Sequence, residues 1–267
     1  MPEGAADSGT NNDDRETLYP SAKRRYQSTQ LMNLLLRALV VPLIRLLAML
    51  GINGDLASVI SLGGYFSGAY FFIFGGPERQ TLALILFLVG MLAELVDGGL
   101  ARIKGPTSIG HFLSKVVESF YIVLLAPSLA IGLYIYGSIE LWVLLLGVFA
   151  PAAHLQFRAA LDVITTAHPA EQLSAMMDGG ASGSMKMVIG QFLPDHPSFT
   201  LKHRFGRIVR ENLMESSGIQ PLLLLIAILT DHADWFVIYY GCVQIFAWFG
   251  FIGLKLVLLK RGGGRLL

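Results

Sequence analysis

The chain has 267 residues, 54% of them hydrophobic and 15% charged, with a formal net charge of +1. A soluble domain carries roughly 25% charged residues, so this composition excludes an ordinary water-soluble globule, and the near-neutral balance gives no sign of a nucleic-acid partner. The single cysteine, Cys242, excludes a disulfide framework.

Residues 1–27 are polar, with Asp7, Asp13 and Asp14 ahead of Lys23, Arg24 and Arg25. That composition predicts a disordered cytoplasmic tail. A secretory signal is rejected, because Arg37 and Arg45 interrupt the apolar stretch that follows and no small-residue cleavage site ends it. Residues 28–50 read as an amphipathic helix. Arg37 and Arg45 fall about 80° apart on a helical wheel, which suits a helix lying in the membrane interface with its arginines toward headgroups. A spanning helix kinked at Pro42 is the alternative.

Six longer apolar runs follow. Residues 56–76, 119–139 and 235–254 carry no charge, and 80–104, 141–162 and 212–230 are apolar over most of their length. Each approaches the roughly 20 residues that cross a bilayer. The predicted architecture is therefore an all-α integral membrane protein. It has six transmembrane helices within residues 51–267, preceded by the interfacial helix. One long cytoplasmic loop is expected at 163–211. Its stretches "MMDGGASGSM" and "PDHP" are turn-forming and read as a linker. No internal repeat is evident. With the N-terminus placed inside, Arg79 is the only one of 20 Lys and Arg residues in an opposite-side loop, so both termini are expected in the cytoplasm.

Two features along this path bear on partners. The small residues of "SLGGYFSGAY" (61–70) allow close helix packing, either within one chain or between two. His203, Arg207 and Arg210 recur at helical spacing just before the fifth span. That basic face would attract anionic headgroups or a phosphorylated substrate, or serve only as a positive-inside anchor.

The charges that resist an ordinary membrane reading lie in "AELVDGGLARIKGPTSIGHFLSKVVESF", residues 93–120. Ionisable residues inside spans are costly and mark working sites. Glu94, Asp97, Gly98 and Ala101 form one helical stripe, and His111, Ser114, Lys115 and Glu118 form another on the next helix. The short link "KGPTSIG" places the two helices side by side and antiparallel, so three carboxylates are expected to converge at the cytoplasmic boundary. Clustered carboxylates repel unless a cation joins them, and a hard divalent cation such as Mg²⁺ commonly bridges carboxylates to phosphates. The bland reading is that Lys104 and Lys115 snorkel to the interface. Lys115 borders the second stripe, however, where its ammonium would pair with Glu118 and meet a phosphate in place of one metal.

At these residues the sequence resembles the CDP-alcohol phosphotransferase family, whose signature reads Asp-x-x-Asp-Gly-x-x-Ala-Arg, a short spacer, then Gly-x-x-x-Asp-x-x-x-Asp. Asp97, Gly98, Ala101, Arg102 and Gly110 match. Glu94 stands at the first aspartate, Ser114 at the third and Glu118 at the fourth. "LGINGDLAS" (50–58) resembles the family's entry to its first span, with Gly54 where proline is usual and Asp55 where asparagine is usual. The resemblance implies transfer of a phosphoalcohol group from a CDP-linked donor to an alcohol acceptor, with release of CMP, in phospholipid or related lipid or glycan biosynthesis. It implies divalent metal, Mg²⁺ or Mn²⁺, held by Glu94, Asp97 and Glu118 with Ser114 at the remaining ligand position. It implies nucleotide binding by Ser58, Gly98, Ala101, Arg102 and Gly110, a general-base role for Glu118, and acceptor or phosphate binding by Arg158. It further implies a homodimer in a membrane, read here as a bacterial inner membrane.

Three functions compete. The first is an active enzyme with altered metal use. The second is a non-catalytic relative that binds nucleotide or lipid, or supports a membrane partner, since Ser114 supplies no carboxylate. The third is a transporter, against which the short loops and the one-sided charges argue. Retention of an acid at Glu118 favours the first.

Overall fold

Long runs of Leu, Ile, Val and Phe with few helix breakers leave the backbone one way to satisfy its polar groups in hydrocarbon, which is within each segment as helix. The computed structural model describes residues 31–105, 107–167, 212–213 and 218–261. The side chains of Arg37, Arg102, His111 and Arg158 fall outside that description. So do the expected tail at 1–27, most of the expected loop at 163–211, and His203, Arg207 and Arg210. The described residues form helices without a strand: α1 Leu31–Met49, α2 Gly54–Phe74, a 3-10 turn at Pro77–Arg79, α3 Gln80–Lys104, α4 Ser108–Ile135, α5 Leu141–Ala167, α6 Gln220–Leu229 and α7 Ala233–Arg261. Helix α5 continues to Ala167, so the first residues of the expected loop are helical.

Local chemistry sets the helix ends. Helix α1 closes with Gly51 at φ 77°, and the amides of Ile52 and Gly51 reach back to Leu47 O and Ala48 O at 3.0 and 3.2 Å. Helix α4 closes the same way at Gly137. This paired closure needs a left-handed residue, which glycine adopts without a Cβ penalty. At its other end α4 is capped by Thr107, whose hydroxyl accepts from the Gly110 amide at 2.8 Å.

Among the described residues, three helices are long and apolar enough to cross a membrane by length and composition, at Gly54–Phe74, Pro77–Ala101 and Ser108–Ile135. Shorter apolar stretches lie at Leu141–Gln156 and Gln220–Leu229. The outward faces of the long helices carry Phe66, Tyr70, Phe74, Ile85 and Val89, all exposed, as a lipid-facing surface requires.

The core lies among α2 to α7. Tyr65, Phe72, Phe87, Ile122, Leu129, Val143, Leu224 and Val237 are all buried in one cluster. A second cluster docks α1, through Val40 and Ile44, against Ala57 of α2 and Val96 and Leu100 of α3. The Leu31 amide of α1 also donates to Asn212 Oδ1 at 2.7 Å.

Helix α2 is the hinge of the arrangement, packing extensively on both α3 and α4, which touch each other much less. Small residues make this possible. A Cβ on Gly64 would lie 2.8 Å from Leu86 O and 2.9 Å from Gly90 N. One on Gly68 would lie 2.9 Å from Ala83 O, and one on Gly132 of α4 would strike Phe72 O. Where lipid removes the hydrophobic drive between helices, such backbone approach supplies the contact energy. Gly64 and Gly68 of the 61–70 stretch are thus spent on packing within the chain.

Forcing a side chain between these backbones should separate the helices. Gly64→Leu is expected to destabilise the bundle by about 3 kcal/mol or more, since even ordinary overpacking costs roughly 1–3 kcal/mol. A melting temperature in detergent equal to that of the natural protein would refute this account of the α2–α3 contact.

Candidate functional site

The last three turns of α3 carry Glu94 and Asp97 one turn apart, as the stripe requires. Both carboxylates turn toward α2. Asp97 is 4% exposed, and its Oδ2 accepts from Ser58 Oγ at 2.7 Å. Glu94 Oε2 accepts from Tyr65 OH at 2.8 Å. The first turn of α2 lies directly on Asp97, because a Cβ at Gly54 would collide with Asp97 Oδ1. This accounts for glycine at a position where the resemblance leads one to expect proline.

A second knot ties the ends of α2, α3 and α4 together. Thr107 Oγ1, which accepts from the Gly110 amide, donates to Asp55 Oδ1 at 3.1 Å. A Cβ on Gly110 would lie 2.8 Å from the same Asp55 oxygen, so glycine there makes room for the acid. Lys104 Nζ donates to Ile52 O at 2.7 Å, closing the α3 terminus onto the α1–α2 turn.

On α4, Ser114 and Glu118 are half-buried and Lys115 is exposed. Lys115 Nζ lies 3.8 Å from Glu118 Oε2, with side-chain exposures of 61% and 29%. A pair this wet contributes under about 1 kcal/mol to stability, so its interest lies in where it puts charge. Gly98 and Ala101 lie on the α3 stripe and are half-buried. Arg102 sits on α3 and Arg158 on α5, one turn beyond the buried His154, whose Nδ1 is 3.4 Å from Tyr240 OH.

The structure therefore brings Ser58, Asp97 and Gly110 to one end of the bundle with Gly54, Asp55 and Thr107. It does not produce the expected convergence of three carboxylates. Among the described residues, no three His, Cys, Asp or Glu side chains group as a metal cluster. The physical reason is the wedge of α2. Its hydroxyls, Ser58 Oγ and Tyr65 OH, meet the carboxylates of α3. Sequence reasoning missed Tyr65, Asp55 and Thr107. Asp55 had a signal, since it occupies the polar position of the entry stretch. Tyr65, an aromatic in an apolar run, had none.

The family of the resemblance implies a divalent metal, and the donor set here limits it. Two carboxylates one helical turn apart offer only oxygen, which suits a hard cation completed by water and phosphate oxygens. Serine at 114 supplies no third carboxylate.

Removing the hydroxyl at 58 should leave a buried carboxylate short of a donor. Hydrogen bonds to charged groups contribute roughly 1.5–3 kcal/mol, so Ser58→Ala is expected to lower unfolding stability by about 2 kcal/mol. Chemical denaturation in mild detergent checks this, and stability equal to the natural protein would show that the bond carries no weight.

Comparison with known proteins adds one positive finding. A family model described as CDP-alcohol phosphatidyltransferase matches residues 35–189, more than half of the 267 residues. No curated protein matches the chain, and no solved structure does. The matched region runs from α1 through α5 and contains Gly54, Ser58, Glu94, Asp97, Gly110 and Glu118, which places the chain in the CDP-alcohol phosphatidyltransferase family.

Proposed function

We propose that the protein is an active membrane phosphotransferase. It moves a phosphoalcohol group from a CDP-alcohol to the hydroxyl of an acceptor and releases CMP, in phospholipid or related lipid or glycan biosynthesis. The observation that carries this reading is the Ser58–Asp97 hydrogen bond at 2.7 Å, which holds the one unaltered acid of the signature rigid beneath the α2 terminus. Preorganised donors and acceptors of this kind are what transferase sites require.

In this reading Ser58, Gly98, Ala101, Arg102 and Gly110 receive the nucleotide, with the glycines allowing its close approach. Glu94 and Asp97 would hold one Mg²⁺ or Mn²⁺, which when bound offsets the charge of the diphosphate. Glu118 takes the proton of the acceptor hydroxyl as its oxygen attacks the phosphorus bearing the alcohol. The bond from that phosphorus to the bridging oxygen breaks, and CMP departs with the electron pair. Lys115, 3.8 Å from Glu118, presents an ammonium to a phosphate oxygen. Arg158, Arg207 and Arg210 complete the acceptor or phosphate contacts. The surrounding protein is read as a homodimer of six-span protomers in a bacterial inner membrane. Both termini are placed in the cytoplasm, with α1 lying in the interface.

A second reading is favoured by one observation. The described residues lack a three-carboxylate group, which suits a relative that binds nucleotide or lipid, or supports a membrane partner, without turnover. A CMP-release assay over Mg²⁺ and Mn²⁺ and a panel of acceptor alcohols separates the two. Metal-dependent CMP release that disappears in Asp97→Ala is expected. Nucleotide binding without any CMP release under all conditions would establish the second reading.

The role given to Lys115 has its own test. Lys115→Met is expected to weaken CDP-alcohol binding at least about tenfold, and Ser114→Asp to raise bound metal from one ion to two. Elemental analysis and nucleotide titration read both. A lysine that only reaches for headgroups would leave nucleotide affinity unchanged in Lys115→Met.

A further inference from the structure

Tyr65 is a polar residue placed where nothing outside the chain reaches it. It is 0% exposed, four turns of apolar sequence surround it, and its hydroxyl finds Glu94 Oε2 at 2.8 Å. Its ring is fixed on three sides. Phe87 stacks on it with centroids 5.5 Å apart, and Tyr121 meets it edge-on at 5.3 Å. On the third side Gly90 is bare. A Cβ there would lie 2.6 Å from the ring carbons Cδ1 and Cε1 of Tyr65. Two neighbouring helices, α3 and α4, thus fix one orientation of the phenol, and the phenol points at a signature acid.

That acid is also one of the chain's departures, glutamate at the first aspartate position. The two facts fit each other. Replacing glutamate with aspartate draws the carboxylate back by about one carbon–carbon bond, roughly 1.5 Å. A 2.8 Å hydrogen bond would then stretch past the limit at which it still acts as one. Only the longer side chain meets a ring clamped in this place.

We infer that Tyr65 is a positioning residue for Glu94, and that the glutamate is an adaptation to this tyrosine rather than a loss of the site. The inference rests on the proposed reading that Glu94 and Asp97 serve a divalent cation. Tyr65 touches neither substrate nor cation. It fixes the orientation in which Glu94 meets the cation, as outer residues do for metal-binding side chains.

The test is Mn²⁺ titration of the full-length protein in nanodiscs, without nucleotide. The natural chain is compared with Tyr65→Phe, Glu94→Asp and the double variant, and a melting temperature is taken for each. Phenylalanine keeps the ring and its packing and removes only the hydroxyl. Tyr65→Phe is expected to weaken Mn²⁺ binding about tenfold or more, the scale seen when outer partners of metal ligands are lost. Glu94→Asp should weaken it comparably. The double variant should bind no more weakly than the weaker single one, because both changes break the same contact. Unchanged affinity in Tyr65→Phe, or single losses that multiply in the double variant, overturns the inference and leaves the cation site standing. If Tyr65→Phe does not fold, Glu94→Asp decides, and affinity equal to or above that of the natural chain overturns the inference. A natural protein that binds no Mn²⁺ overturns both the cation reading and the inference that rests on it.

Discussion

The approach of α2 to α3 governs everything else in this molecule. Where Gly64 faces Leu86 O and Gly90, the two backbones are in contact, and the register between the helices is fixed to within a residue. Antiparallel helices locked at one level are locked at every level. Going from Gly64 toward the N-terminus of α2 moves toward the C-terminus of α3, so Ser58 arrives opposite Asp97 and Gly54 arrives on the same carboxylate one turn further. Tyr65, next to Gly64, falls on the bare face of Gly90 and reaches up to Glu94. The hydroxyl partners of both acids follow from a packing contact that contains no polar side chain.

This coupling explains how two acids persist inside a membrane bundle. A carboxylate removed from water without compensation costs several kcal/mol, and hydroxyl donors built into the neighbouring helix offset part of that cost. Both acids of α3 thus have protein donors, Ser58 for Asp97 and Tyr65 for Glu94. The knot of Asp55, Thr107 and Gly110 does the same for the rim, tying the capping residue of α4 to the first turn of α2.

The sequence makes some of this legible and hides the rest for physical reasons. Composition and the uncharged run at 56–76 announce helices in hydrocarbon, because no other structure satisfies backbone groups there. The stripe of Glu94, Asp97, Gly98 and Ala101 is a matter of helical period, and its position near the end of α3 follows. The partner of that stripe does not. The short link between α3 and α4 suggested that these two helices face each other, yet chain proximity fixes only where helices start and end. Which faces meet is decided by glycines on α2, whose effect depends on the shape of their opposite numbers on α3 and α4. Tyr65 was hidden for the same reason: its function lies in a contact 29 residues away in sequence, and an aromatic in an apolar run reads as core. The helices beyond α4 are less distinct in sequence than in packing, since α5 and α7 carry polar residues such as His154 and Gln244 that are buried against neighbours.

The departures from the family pattern bear on whether the site is altered or decayed. Decay by independent substitution has no reason to preserve fit between the replaced residues and their neighbours. Here the replacements fit. Gly54 leaves space that Asp97 occupies, and any Cβ there would collide with it. Asp55 is received by a Thr107 hydroxyl and by the missing side chain of Gly110. Glu94 reaches a clamped phenol that an aspartate would miss. Glu118, one methylene longer than the aspartate of the signature, meets the ammonium of Lys115. Only the serine at 114 subtracts a group without an evident fitted counterpart. The substitutions taken together thus describe residues that remain matched to their own neighbours, which independent decay has no reason to produce.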